Sequence, residues 1–505
     1  MTKSRDIASK LSDANSNTAY GSTALEANTT GNNNTAVGTA ALPVNTTGID
    51  NVSIGSRSML TNTIGSYNTV VGRSALRLNT TGSTNTAIGQ NAMFQNTVGS
   101  NNAAVGAGAL NNNTIGNANT ALGTNALNSN TTGGDNTAVG YGALDNNTVG
   151  IKNVAIGYDA LGLNTTGSYN VAVGDGSLPN NTTGIYNVAV GRWSALGNTT
   201  GSNNVSLGYY ALAINQTGNN NIAIGREALA AGTGNNDNIA IGGSVMSSNT
   251  TGTRNTAVGS AHSGVGYAPM QFNTTGYQNS AFGNSSLIYN TTGFNNTAVG
   301  FTALAGNTIG YENTAVGTQT LNSATTGIAN TAMGHAALYS VTTGSQNVAV
   351  GWNALAGITT GVNNIGLGYG ATATSATVSN QITLGNSSIA TIRSQVTSIT
   401  ALSDARDKSD VESIPVGLDF INKLHPVTFT WNMRDGGKVG IKDTGFIAQE
   451  LMAVEDEAEL AEYLQLTYRD NPEKLEATQG RLIPILVKAI QELSAKVAEL
   501  EAKVN

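Results

Sequence analysis

Asn34-Thr35-Ala36-Val37-Gly38-Thr39-Ala40-Ala41-Leu42-Pro43-Val44-Asn45-Thr46-Thr47-Gly48-Ile49-Asp50 is followed at once by Asn51-Val52-Ser53-Ile54-Gly55, the same phrase begun again. The phrase ends on a glycine every 17 residues from Gly21 to Gly259, pauses for one step of 24 to Gly283, and resumes to Gly385. Self-similarity at a fixed short period means one structural unit per repeat, stacked so that neighbours share a core that no single unit could bury. The 505-residue chain therefore contains 22 rungs of 17 residues with one seven-residue insertion.

Aligned rungs give each column a task. The residues one, two and three places before the glycine are mostly Val/Ile/Leu, Ala, and Thr/Val/Ile, as in Val37, Ala36 and Thr35. This short β-branched segment between Asn and Gly reads as a strand. Ala41-Leu42, Ala75-Leu76 and Ala109-Leu110 supply a second apolar contact. Asn45-Thr46-Thr47-Gly48 and its equivalents supply a turn in which Gly or Asn can take positive φ. The column after the corner glycine holds Arg73, Gln90, Tyr141, Asp175, Arg192, His335 and Trp352, a mixture that only a solvent-facing position tolerates. At about 4.8 Å per rung the shaft is expected to be on the order of 100 Å long. Alternate side chains of a strand face opposite ways. A solenoid buried on one face would carry polar residues in the alanine column. Both faces are small or apolar, so the second is expected to pack on other copies of the chain.

Charge is unevenly placed. Residues 1–402 hold 11 Lys+Arg and 11 Asp+Glu, whereas residues 403–505 hold 12 and 19 and account for the whole net charge of −7. A neutral body has no hold on phosphates, which argues against nucleic acid as a partner. With no cysteine there is neither a disulfide framework nor a thiolate metal site, and His262, His335 and His425 are scattered, so no metal or other cofactor is expected. The first residues lack the apolar core of a secretion signal, and no apolar run approaches the roughly 20 residues of a membrane helix. Asn45-Thr46-Thr47 and Asn79-Thr80-Thr81 match glycosylation acceptors but read as stacked turns.

The rungs over residues 16–386 resemble the head repeats of trimeric autotransporter adhesins of the YadA type. The resemblance implies a left-handed parallel β-roll and three chains side by side. The period here is longer than is usual in those heads, and their membrane-anchoring barrel is not found.

Residues 387–402 form a Ser/Thr/Ile-rich connector, and from Ser403 the chain becomes charged and mixed α/β. Val427 to Trp431 alternates as a strand does, Gly436-Gly437 marks a turn, and Phe446 to Met452 opens a helical pattern. Ile483, Leu486, Ile490, Leu493, Val497, Leu500 and Val504 are spaced by threes and fours, the seam of a coiled coil over 483–504. Taken strictly, Ile/Val with Leu on that seam favours two strands; the shaft's resemblance implies three. Pro484 falls in the first turn, where proline is tolerated.

Residues 403–505 resemble the intramolecular chaperone domain of phage tail spikes and fibres, the endosialidase-type or peptidase S74 family. The residues that carry this are Ser403, Asp404, Arg406 and Lys408; Leu424, Pro426, Val427, Phe429 and Trp431; and Gly445-Phe446-Ile447-Ala448-Gln449-Glu450. The resemblance implies a trimerising domain that helps the preceding β-structure fold and then cuts the Leu402–Ser403 bond, with Ser403 as nucleophile and Lys408 as base. Asp407 departs from the family's usual apolar residue, and an adjacent carboxylate favours a protonated lysine. The same resemblance implies a virion tail appendage that attaches to a host surface glycan or protein, with residues 1–15, through Ser4 to Leu11, docking on other virion proteins. Trp193, Tyr209, Tyr210 and Trp352, close behind corner glycines, are the candidates for receptor contact. A glycan-degrading spike would need paired carboxylates, and 11 acids over 402 residues supply few; a cellular trimeric adhesin is the other alternative. The insertion near 260–272 is either a tolerated bulge or a functional loop.

Overall fold

The computed structural model describes residues 15–260, 267–389, 392, 403–433, 439–469, 473 and 475–504. The expected attachment segment, the Leu402 side of the cleavage bond, most of the connector and Gly436-Gly437 lie outside the described residues. The chain divides into two compact units, Met1–Asn330 and Thr331–Asn505.

Mainly β structure follows from the repeat as expected. In the first unit every rung contributes a three-residue strand, from Thr18–Tyr20 to Thr314–Val316, each ending one residue before its glycine. Successive strands pair in parallel and in register, Thr35 opposite Val52, Ala36 opposite Ser53 and Val37 opposite Ile54. The rest of each rung is turn, yet it stacks as tightly: Thr46 N–H donates to the Thr63 carbonyl at 2.8 Å and Leu42 N–H to the Ser58 carbonyl at 3.0 Å. The result is a parallel β-solenoid.

The interior corrects one sequence expectation. The alanine column, held to face sister chains, faces inward: Ala36, Ala87, Ala138 and Ala189 are fully buried against the Ala-Leu pairs such as Ala41 and Leu42. The columns on either side of it face outward, and in the Val/Ile/Leu column Ile54, Ile88, Ile156 and Leu207 are exposed. Small side chains suit so narrow an interior, alanine in most rungs and Ser53, Val70 and Ser206 in others. Both strand faces remain apolar, so the reason to expect a partner survives, transferred to the opposite column.

The turn glycine is also needed for a different reason than expected. Gly48 does not take positive φ; a Cβ there would lie 2.4 Å from Asn45 Oδ1 and 2.5 Å from the Gly65 carbonyl oxygen, so the residue is glycine for space. Positive φ falls on Gly38, at 132°, and on non-glycine residues such as Ala40, Leu42 and Asp50.

Two rows of buried asparagine run through this unit. Asn51 donates through Nδ2 to Asn34 Oδ1 and to the Gly65 carbonyl, each at 3.0 Å. Asn62, in the second row, donates to Asn45 Oδ1 and to that same carbonyl, again at 3.0 Å. Stacking the same amide on every rung satisfies polar groups that would otherwise be costly inside. Asn45 and Asn79 are fully buried, which leaves no room for a glycan on either.

The insertion leaves the sheet undisturbed, since Thr256 pairs with Ser280. Pro269 and Met270 take the places of the usual Ala-Leu pair, the Met246 N–H donating to the Pro269 carbonyl at 3.3 Å. The added residues therefore fall between Gly259 and Tyr267, and 261–266 lie outside the described residues.

The second unit holds four more strands, Thr331–Met333, Val348–Val350, Ile365–Leu367 and Ile382–Leu384, paired in parallel. Its second interior row is apolar, Val341 and Ile358 standing fully buried where asparagine would be. After Ser403 the architecture changes. Helix α1 (Leu418–Ile421) precedes an antiparallel pair, β1 (Val427–Asn432) and β2 (Val439–Gly445). Helices α2 (Ala448–Glu457) and α3 (Ala461–Leu464), the short strands β3 (Thr467–Tyr468) and β4 (Glu476–Ala477), and the long helix α4 (Leu482–Val504) follow. The strand and the helical pattern read from the sequence are present. Phe420, Leu464, Leu466, Leu482 and Ile485 form the core. Among the described residues no helix is long and apolar enough to cross a membrane.

Candidate functional site

Two places carry the residues singled out from the sequence. The first is the start of the C-terminal region. Ala405–Asp407 form a single tight turn capped by Asp404, whose Oδ1 accepts from the Arg406 N–H at 2.9 Å. The Arg406 guanidinium returns to the same carboxylate, Nε to Oδ1 at 3.0 Å and a terminal nitrogen to Oδ2 at 2.6 Å. These bonds from Arg406 hold the Asp404 carboxyl below its ordinary range and raise the guanidinium in return. The turn folds residue 408 back over residue 403, and Lys408 Nζ donates to Ser403 Oγ at 2.6 Å. The expected nucleophile and base are thus in direct contact. Among the described residues no ion pair joins Lys408 to Asp407, so that carboxylate does not take the lysine from its serine. Both Ser403 and Lys408 are exposed in the single chain.

The same domain holds a feature that the sequence did not announce. Glu455 on α2 is fully buried and accepts from the Leu466 N–H at 2.6 Å, the Thr467 hydroxyl at 2.8 Å and Arg469 at 3.0 Å. A charge this deep is retained only where donors surround it, and here it ties α2 to β3. Glu492 on α4 does a similar task from the far side, accepting from the Leu418 N–H at 2.8 Å. A Cβ on Gly417 would stand 2.3 Å from Glu492 Oε2, so a side chain there would displace that carboxylate from where it meets the Leu418 N–H.

Helix α4 shows two faces. Leu482, Ile485 and Ala489 are buried in the domain. All seven seam residues, Ile483, Leu486, Ile490, Leu493, Val497, Leu500 and Val504, point away from it, with exposures from 42% at Leu486 to 87% at Val504. A heptad seam exposed along its whole length has no covering partner among the described residues of its own chain.

Residues 403–460 match the family model Peptidase_S74, chaperone of endosialidase. The match begins at Ser403 and ends three residues after α2, covering the dyad, β1, β2 and the Gly445–Glu450 string. It supports the chaperone-domain expectation for this region. No curated protein and no solved structure is significantly similar to the chain.

The second place is the solvent-facing corner of the solenoid. Trp193 and Tyr210 come together with ring centroids 5.1 Å apart, and Tyr209 joins them. Trp352 lies in the other unit, stacked on Tyr369 at 4.8 Å with His335 beyond it at 6.0 Å. Similar pairs recur elsewhere, Tyr141 on Tyr158 and Tyr277 on Phe294 on Tyr311. These ladders are readable in principle as aromatics 17 residues apart; considered one by one, they pass for ordinary exposed rings. An acidic row shares the first corner. Burial, then the Asp159 charge, raises the Asp145 carboxyl, and burial, then Asp175, raises Asp159. Asp175 itself is paired with Arg192 at 3.1 Å. Among the described residues no group of His, Cys, Asp and Glu could hold a metal ion.

Proposed function

We propose that the protein is a homotrimeric tail fibre of a virion, assembled by its own C-terminal chaperone domain and used to attach to a host-cell surface. The observation that carries this reading is the exposed seam of α4, apolar over three heptads and turned away from its own domain. Burying such a seam in a three-chain bundle contributes about 25 cal/mol per Å² of apolar surface removed from water. The outward Val/Ile/Leu column gives the solenoid a second surface suited to sister chains. The chaperone-family match at 403–460 agrees with a domain that gathers three chains before the rungs zip. YadA-like packing of the rungs, docking of residues 1–15 on the particle and a virion location belong to the same proposal.

The Ser403–Lys408 contact supports a single self-cleavage. Ser403 Oγ attacks the Leu402 carbonyl while Lys408 takes the hydroxyl proton; the C–N bond breaks as that proton passes to the released amine, and water hydrolyses the ester. A lysine serves as a base only when it is desolvated. Neighbouring chains would supply that burial, which makes cleavage follow assembly.

Intact mass and light scattering of the expressed protein test both parts. A trimer is expected in which the wild type sheds a C-terminal piece of roughly 103 residues, while Ser403→Ala and Lys408→Ala stay whole. A folded single-chain species at micromolar concentration refutes the fibre; equal full-length masses refute the dyad alone.

A further inference from the structure

Three consecutive rungs place Arg192-Trp193, Tyr209-Tyr210 and Arg226-Glu227 at the two positions after the corner glycine. The aromatic members are fixed by their neighbours. The Arg192 guanidinium lies 3.7 Å from the indole centroid of Trp193, a cation–π contact steadied by the Asp175 ion pair. Gly176, one rung earlier, makes room for that indole: a Cβ there would sit 2.7 Å from Trp193 Cδ1. Tyr209 and Tyr210 meet edge to face at 4.7 Å and 75°.

Beside these rings opens a cavity of about 310 Å³ lined by Leu196, Tyr209, Tyr210, Ala213, Ile214 and Glu227. That is the lower end of the ~300–1,000 Å³ range of small-ligand sites. The polar groups at its wall are available. Glu227 Oε1 takes both bonds from Arg226, at 3.1 and 2.8 Å. Among the described residues, no protein donor reaches Oε2, and neither the Tyr209 and Tyr210 hydroxyls nor the Trp193 indole N–H makes a hydrogen bond.

We infer that this cavity binds a neutral hexose or N-acetylhexosamine residue of a surface glycan, an assignment that rests on the attachment reading above. A pyranose offers one apolar C–H face and a rim of hydroxyls. The face suits the tyrosine rings, and an adjacent hydroxyl pair suits a carboxylate and guanidinium side by side. A purely apolar ligand would leave Glu227 Oε2 and the ring donors unpaired at the contact, which is costly. An anionic sugar would meet Glu227, with the Asp159 and Asp175 carboxylates along the same corner.

The test uses the full chain with Trp352→Phe and Trp431→Phe, so that Trp193 alone reports by fluorescence. Probes are the methyl glycosides of glucose, galactose, mannose, N-acetylglucosamine and N-acetylgalactosamine, with sialyllactose and a neutral peptide as comparisons. At least one neutral glycoside should quench saturably, and Tyr210→Ala or Glu227→Gln should weaken it at least tenfold, about 1.4 kcal/mol. Folding is controlled within the molecule, because Ala40, Ala336 and Gln319 occupy the same rung position at φ 54°, 53° and 58°. No saturable neutral glycoside, unchanged affinity in both variants, or preference for sialyllactose or peptide overturns the assignment. Adherence to host cells separates the two readings. If the wild-type chain adheres and Tyr210→Ala and Glu227→Gln made in it adhere equally, the site is wrong and the fibre stands; if the wild-type chain never adheres, attachment itself fails.

Discussion

Asn153 shows what a single residue does in this solenoid. Its N–H and its Nδ2 both donate to Asn136 Oδ1, at 3.0 and 3.2 Å, and Nδ2 also reaches the Gly167 carbonyl at 2.9 Å. Its own Oδ1 accepts from the N–H and the side chain of Asn170, at 3.0 and 3.3 Å. Asn153→Ala removes the acceptor for two buried donors and leaves the Asn136 and Gly167 oxygens each one donor short. At ~1–3 kcal/mol for a buried group left unpaired, we expect a loss of about 3 kcal/mol. Because each rung touches only its neighbours, hydrogen exchange should accelerate in peptides covering residues 136–170 and remain unchanged several rungs away. Uniform acceleration along the unit would contradict the row as a local device. The sequence showed these asparagines only as strand boundaries, and those of the second row only as turn formers. A buried amide and a turn amide look alike in a sequence, and stacking distinguishes them only once the rungs are closed.

At the scale of the element, α4 has two tasks on two faces, and substitution should separate them. Ile485→Ala opens a cavity in the domain core and should cost about 2–5 kcal/mol, read as a lower melting temperature of the C-terminal domain. Leu493→Lys changes a half-exposed seam position outside the domain core. It should leave helix content by circular dichroism unchanged while shifting light scattering from trimer to monomer. A monomer-sized Ile485→Ala with a trimeric Leu493→Lys would reverse the assignment of the faces. The seam was legible because its threes and fours run for three heptads. The buried face, Leu482, Ile485 and Ala489, is a single stripe of two turns, too short to stand out beside it. The dyad was legible only through resemblance: a serine and a lysine five residues apart carry no signal until Asp404 and Arg406 are seen to close the turn between them.

For the molecule as a whole, the 17-residue period determined where each strand begins and ends, and the structure agrees rung by rung. What the period could not show was which strand face is inside. Alternation assigns faces to opposite sides without saying which is which, and alanine suits a narrow interior as well as a tight contact between chains. The stacking logic makes a firm prediction about length. Deleting residues 107–123, one whole rung, rejoins Gly106 to Thr124 in phase and should yield a folded chain whose melting temperature is within a few degrees of the parent. Deleting half as many residues turns alanine columns outward and should abolish folding beyond the cut, seen as lost β signal by circular dichroism. Equal tolerance of both deletions would show that the columns, and hence the shared core, do not govern stability.

The asparagine rows of the first unit have a further property. Along most of each row the amide points its oxygen toward the following rung and its nitrogen toward the preceding one, as Asn34, Asn51 and Asn68 do in turn. Dipoles aligned this way add, as they do along a helix, so each row is electrically directional, positive toward its first rung and negative toward its last. In its asparagine rows an unfinished stack therefore presents amide oxygens, not amide nitrogens, at its growing edge, and the next rung's asparagines can click on in one orientation but not upside down.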